Sequence, residues 1–406
     1  MLRRLKLTTA GESHGPAIAV ILEGVPAGLR LSPADVAREL ARRQGGHGRG
    51  GRMRIERDEG ELFAGVRLGE TIGGPIGIRI PNRDFKNWRA AMDVEAPASE
   101  DEELLRRVHL PRPGHADLAG MLKYGRSDAR DILERASARE TAARVAAGAV
   151  AKRFLAEFGV AVESHVVRIG PVASAGGTWP DDINAVADAS PVRCLDEDAG
   201  DAMVEAIDRA RRDDDSLGGV FEVVARGLPV GLGSHVTWET RLSGRLAGAL
   251  LSIHAMKGVE LGLGFASAGR RGSEVHDEID RDDAARLRGG YARRSNRAGG
   301  LEGGMTTGEP LVARVAMKPL SSLRRPLDSV DVRTGEPAKA IRERSDVCAV
   351  PAAGIVGEAM VALVLADAWL EKFGGDSVED TRTALERYLD RVATAHPGAA
   401  APADGT

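Results

Sequence analysis

Three short segments hold residue types that could do chemistry. In Gly11-Glu12-Ser13-His14-Gly15 a hydroxyl and an imidazole sit side by side on a glycine-bounded turn. The segment matches G-x-S-x-G, the nucleophile elbow of the α/β-hydrolases, but that fold needs several strands before its nucleophile and only one fits before Ser13. A histidine between polar neighbours at a strand end is also where a proton-transfer group is placed. The plainer alternative is a strand-end turn with glycine at its tight positions. Arg112-Pro113-Gly114-His115-Ala116-Asp117 fixes one more histidine on a turn, where an isolated His is more often incidental. Lys318-Pro319-Leu320-Ser321-Ser322 follows an apolar strand and offers a cation, hydroxyls and backbone N–H groups, a place that suits a phosphate. Arg344-Ser345-Asp346 adds a cation and a carboxylate on the loop before Pro351-Ala352-Ala353.

Arginine is concentrated in Arg42-Arg43-Gln44-Gly45-Gly46-His47-Gly48-Arg49-Gly50-Gly51-Arg52. Its G-x-G-x-x-G match fails as a dinucleotide fingerprint, because the helix precedes it and the strand follows. Three readings remain: a solvated basic loop, an Arg/Gly RNA-binding segment, or a lid whose guanidiniums clamp a multiply charged anion. Arg135 and Arg139 stand four apart with Ser137 between them, on one face of an expected helix, with Glu134 and Glu140 as ordinary ion-pair partners. No Walker A sequence and no His-x-x-x-His pattern is present, and no metal ligands are evident.

The elements that must position these groups come next. The chain has 406 residues, 56 Lys+Arg and 60 Asp+Glu, with 43% hydrophobic residues, enough for a sizeable core. No run approaches the ~18 apolar residues of a membrane span, and the start lacks a signal-peptide stretch. With only Cys194 and Cys348, neither a disulfide framework nor a Cys-based zinc site is expected, and the cytoplasm is the default. Glycine is 50 of 406 residues against a usual ~7%, so many backbone positions need positive φ or close approach. Aromatics are only 3%, too few for base-stacking platforms.

Strands are expected at Leu5–Thr9, Ile18–Leu22, near Met53–Glu56, at 62–66, 161–169, 219–225 and 310–317. Ser32-Pro33 starts a helix to about Arg43. An Ala-rich helix runs from Ala129 to about Phe158, with others at about 199–212, 240–256 and 352–373. Residues 96–107 read as a solvated excursion, and Ser377 starts a polar helix that ends in an Ala/Pro-rich tail. The class is α/β or α+β.

Eight segments, in order, resemble chorismate synthases: GESHGPAIAVILEGVP, RRQGGHGRGGRM, RPGHAD, ERASARETAARVAAGAV, SIHAMKGVELGLGF, GGLEGGMTTGEP, MKPLSS and RSDVCAVPAAGIVGEAM. The resemblance implies an α+β fold, a β-α-β sandwich in a single large domain spanning 1–374, with 375–406 as appendage, assembled as a homotetramer. It implies a carbon–oxygen lyase of the shikimate pathway that takes 5-enolpyruvylshikimate 3-phosphate to chorismate and phosphate by anti-1,4-elimination, with no nucleic-acid or membrane partner. It implies reduced FMN, with NADPH as the reductant in members that reduce their own flavin. No reductase segment is visible, so reduced FMN is expected from outside.

The resemblance also assigns roles. His14 matches the histidine that protonates the departing phosphate, His115 the one near flavin N1, and Asp346 with Ser13 the relay that removes the proton from N5. Arg135, Ala136, Ser137, His254, Ala255, Gly303, Lys318, Pro319, Leu320, Ser321, Ser322 and Arg344 match flavin-contacting positions. Arg43 and Arg49 match lid arginines that bind substrate or NADP. At position 254 many members carry Asn where this chain has His.

Overall fold

The computed structural model describes residues 2–50, 58–97, 101–343 and 345–394. Apolar residues at every second position build the first sheet. Its strands are β1 (Lys6–Ala10), β2 (Ala17–Glu23), β3 (Glu61–Ala64) and β4 (Ile76–Pro81), antiparallel in the order β1-β2-β4-β3. The register sets Ile18 opposite Ile80, Val20 opposite Ile78 and Leu22 opposite Ile76, and all six are buried. The second sheet holds β5 (Ala161–Ile169), β6 (Val172–Ala173), β7 (Gly219–Arg226), β8 (Met256–Leu261) and β9 (Leu311–Met317), antiparallel in the order β8-β9-β7-β5-β6.

Helices fill the space between the sheets. They are α1 (Pro33–Gln44), then α2 (Asp117–Tyr124) and α3 (Arg130–Leu133) near one end, and α4 (Thr141–Ala156). After them come α5 (Ile183–Ala189), α6 (Glu197–Arg212), α7 (Leu242–Leu251), α8 (Val350–Phe373) and α9 (Val378–Thr394). Helix α4 packs beneath the first sheet, α8 beneath the second, and α4 and α8 pack on each other. The expected β-α-β sandwich is what forms. A Cβ at Gly148 of α4 would collide with Ala359 of α8, so glycine lets the two central helices approach closely. By length and composition α8 could cross a membrane, which the composition reading did not foresee. Here it is apolar all round because both its sides are covered by protein.

Two carboxylates interrupt that apolar helix. Glu358 is wholly buried, and it accepts bonds from Arg42 of α1 (2.8 Å), Lys152 of α4 (2.5 Å), Arg193 (3.3 Å) and Ser164 of β5 (2.7 Å). Asp367 accepts from the backbone N–H groups of Arg3, Arg4 and Leu5 and from Arg245 of α7. Burial works against ionisation of Glu358, but Lys152, Arg42 and Arg193 outweigh it and hold its pKa well below the ordinary value.

Three local expectations are corrected. The long Ala-rich helix is broken into α3, a 3₁₀ turn (Ala138–Glu140) and α4. Ser137 is extended at ψ 144 and its side chain accepts from the N–H of Arg139, a local alternative to the helix ladder that Ala propensity does not reveal. Strand β8 begins at Met256, where a helix was expected to end. Helix α9 is not polar on all sides: Leu385 and Leu389 are buried and Tyr388 donates to Val230 O at 3.0 Å. The described residues of the excursion are largely exposed, as expected, with Arg106 over the Trp88 ring at 4.0 Å. The strand expected near Met53–Glu56 lies outside the described residues.

Two consequences are measurable by urea denaturation. Glu358→Gln leaves three cations without their shared anion and should cost about 3–5 kcal/mol at pH 7. Because its folded pKa is depressed, that contribution is full above about 4.5, the ordinary glutamate value, and is lost as pH falls through the folded value. The difference between wild type and variant should therefore hold down to that pH and shrink only below it; an unchanged midpoint at pH 7 would make the cluster dispensable. Leu389→Ala should cost about 2–5 kcal/mol, as for a core leucine, whereas a change within ±0.5 kcal/mol would mark α9 as a loose appendage.

Candidate active site

The break before α4 is where the first chemical segment docks. The turn between β1 and β2 begins at Gly11 with φ +110, and a Cβ there would collide with the carbonyl of Ala17. Past it, Ser13 N–H donates to Glu134 O (3.0 Å) and His14 N–H to Glu134 Oε2 (2.8 Å). His14 Nδ1 lies 2.8 and 3.0 Å from the two Glu134 oxygens. The imidazole is stacked on Trp88 at 3.6 Å between centroids. Ser137 Oγ donates to Ser13 Oγ at 3.1 Å, and Arg135 donates to Gly11 O and Thr9 O, both at 3.0 Å. Burial pushes the Glu134 carboxyl up, but His14 and Arg130 outweigh it and leave it below its usual value.

The second histidine repeats the pattern. His115 Nδ1 lies 2.5 Å from Asp117 Oδ1, and Asp117 is fully buried. Arg112 donates to the same carboxylate through Nε (2.9 Å) and Nη2 (3.1 Å), and through Nη1 to Ser322 Oγ (2.8 Å). Burial opposes ionisation, yet the bonds from His115 and Arg112 hold Asp117 far below the carboxylate range.

The expected lid arginines sit differently from each other. Arg43 is buried and its donors go to Thr141 Oγ1 (3.0 Å), Asp58 (3.2 Å) and Ala138 O (2.8 Å). Burial draws it down to about 10, still cationic at neutrality. Asp58 also pairs with Arg139 at 3.3 Å. Arg49 pairs with Asp346 at 2.7 Å, and the same carboxylate accepts from Gly50 N–H at 2.6 Å. Arg42, counted among the loop cations, belongs instead to the Glu358 cluster.

The residues expected to hold a flavin fall mostly together. Lys318 N–H donates to Ala255 O at 3.0 Å, which ties the end of β9 to the turn before β8. Ala255 there has φ +67. A Cβ on Gly114 would lie 3.7 Å from Ser321 Cβ and 3.8 Å from Lys318 Nζ, so the His115 turn closes on the same strand end. Burial, with the charge of Lys257, lowers the Lys318 ammonium. Pro319 O accepts from Lys318 Nζ, Leu320 O from Ser216 Oγ. Burial lowers the His254 imidazole; Glu140 opposes this while Arg144, His115 and Arg135 reinforce it. Its Nδ1 is buried without a hydrogen-bond partner, 4.0 Å from Glu140. An orphaned ring nitrogen beside a half-buried ammonium and strand-end hydroxyls fits a polar, anionic group such as FMN. Gly303 lies on a hairpin that meets the start of α7 through Leu242 N–H to Gly304 O at 2.8 Å. Ala136 lies in the break before α4, and Arg344 lies outside the described residues. Among the described residues no group of three or more His, Cys, Asp or Glu is arranged to hold a metal.

Sequence reasoning passed over Glu134, Asp117, Arg112, Trp88 and Asp58 as participants. The only available signal was Asp117 two residues after His115; Glu134 and Asp58 carried none. Asp58→Ala would strand Arg43 and Arg139 in the interior, and a loss of about 3–5 kcal/mol in urea denaturation is expected. Wild-type stability would show that the two guanidiniums reach other acceptors.

The chorismate synthase family model matches residues 5–370. The chorismate synthase of Acidothermus cellulolyticus is 57% identical over 393 residues, covering 96% of this chain and 99% of that protein. The chorismate synthase of Thermobifida fusca is 56% identical over 395 residues, covering 96% and 99%. A solved structure described as "Crystal Structure of Chorismate Synthase" superposes with a TM-score of 0.78 at 42% identity, covering 97% of this chain and 100% of that one. With the sandwich and the doubled histidine–carboxylate site in view, the chain belongs to the chorismate synthase family of lyases.

Proposed function

We propose that the protein converts 5-enolpyruvylshikimate 3-phosphate to chorismate and inorganic phosphate by anti-1,4-elimination, using reduced FMN, as a homotetramer. The observation that carries this reading is the pairing of two imidazoles, each bound through Nδ1 by a buried carboxylate, with a surround of arginines. A substrate with one phosphate and two carboxylates requires such cations for neutralisation and desolvation. Arg135, Ala136, Ser137, His254, Ala255, Gly303, Lys318, Pro319, Leu320, Ser321, Ser322 and Arg344 are the groups that would hold the flavin. When bound, reduced FMN would supply an electron-rich ring able to lend an electron and take up a proton.

The chain's own residues do the rest. His14, as imidazolium, donates to the phosphate as its bond to C3 breaks. His115, steadied by Asp117, lies on the cofactor side with Lys318. Asp346 takes up the proton relayed through Ser13, and to do so its carboxylate must exchange its bond to Arg49. A substrate anion that engages Arg49 makes that exchange, which couples binding to release of the base. Arg43 and Arg49 are the cations this reading assigns to substrate or to NADPH, and Arg49 is the one whose ion pair with Asp346 can exchange.

The competing readings lose support. An RNA-binding Arg/Gly loop would display its cations, whereas Arg42 and Arg43 are committed to carboxylates inside the fold. A hydrolase would pair Ser13 with His14, yet His14 Nδ1 is held by Glu134 and Ser13 Oγ by Ser137.

Anaerobic turnover with reduced FMN provides the test. His14→Ala and His115→Ala should each lower kcat by ~10²–10⁴, the range for a lost general acid, with KM little changed. Arg49→Ala should raise KM roughly tenfold to a hundredfold, since a hydrogen bond to a charged group is worth ~1.5–3 kcal/mol. Wild-type rates in both histidine variants would sink the assignment.

A further inference from the structure

We infer that Glu134 is a positioning residue that holds His14 in its Nδ1–H form, so that the proton passed to the leaving group travels through Nε2. The inference rests on the reading in which His14 protonates the departing phosphate. An ionised carboxylate can only accept, and both Glu134 oxygens approach Nδ1, at 2.8 and 3.0 Å. The hydrogen must therefore be on Nδ1, and Nε2 is the ring nitrogen that gains and loses the proton.

The grip extends beyond that bond. Glu134 also takes the N–H of His14 itself at 2.8 Å, and its carbonyl takes the N–H of Ser13 at 3.0 Å, so the turn and the ring are clamped by one residue. Trp88, nearly parallel to the ring at 23°, opposes tipping out of that plane. Glu134 is itself held by Arg130 at 2.9 Å, and Arg130 by Glu343 at 3.2 Å. A histidine side chain free in water favours the Nε2–H tautomer, so the clamp selects the form that solvent does not. In the serine-protease triad the corresponding carboxylate has the same task, and its replacement by the amide costs about 10⁴ in turnover through the wrong tautomer.

Long-range ¹H–¹⁵N spectra of the full-length protein labelled at histidine read the tautomer directly, with His14 assigned by the signal missing in His14→Ala. The neutral wild-type ring should show Nδ1–H. In Glu134→Gln the amide keeps the shape but presents an NH₂ toward Nδ1, and the ring should switch to Nε2–H. Turnover should then fall ~10²–10⁴-fold in kcat with KM within about threefold. A merely structural role for Glu134 would move stability and leave the tautomer in place.

An Nε2–H ring in the wild type overturns the proposal without any variant being made. Nδ1–H retained in Glu134→Gln, or kcat within about threefold of wild type after the switch, overturns it too. Should His14→Ala turn over normally, the functional reading fails while the spectra still decide the tautomer.

Discussion

A carboxylate taken out of water must be met by positive charge or by N–H groups, and the central helix carries two of them into a dry interior. Glu358 recruits Arg42 from α1, Lys152 from α4, Arg193 from a loop and Ser164 from the second sheet. Asp367 recruits the backbone of residues 3–5 at the entry to the first sheet, and Arg245 from α7. Hydrophobic burial would tolerate small slips between layers, because it has no direction. These hydrogen bonds do not, since each lost partner leaves a charge stranded. The sandwich is thereby held in one alignment, and the loops at its end are held with it.

The same physics operates at the site with a different outcome. Glu134, Asp117 and Asp58 are also buried carboxylates, and each is shared with a side chain of the candidate site. Glu134 and Asp117 each hold an imidazole through Nδ1. Asp58 pairs with Arg43 and Arg139, and Asp346 with Arg49. Each of these charges is fixed in place by the fold, and none depends on a ligand for its partner.

The location of the site depends on a failure of helix continuity. An uninterrupted helix from 129 to 158 would carry Arg135 and Ser137 on a smooth surface. The Ser137 cap instead turns the chain, so that Arg135 reaches back to Thr9 and Gly11 and Ser137 reaches Ser13. The turn between β1 and β2 then rests on Glu134, and the two segments build the site together.

By itself the sequence determined what is local in origin. Short apolar runs specified β1, β2 and β3, Ser32-Pro33 the start of α1 and the apolar stretch from Ala352 the core helix α8, because each signal is written within a few residues of where it acts; β4 was not foreseen. The ordered motifs around Ser13, His14, His115, Lys318 and Asp346 marked the chemical groups for the same reason. Tertiary structure decided the rest. His14 and Glu134 are 120 positions apart, and among 9 histidines and 60 acidic residues no spacing distinguishes that pair from any other. Leu385 and Leu389 looked solvated until a groove in the rest of the chain received them. Charge pairing and docking are set by distance through space, which the fold creates and the order of residues does not contain.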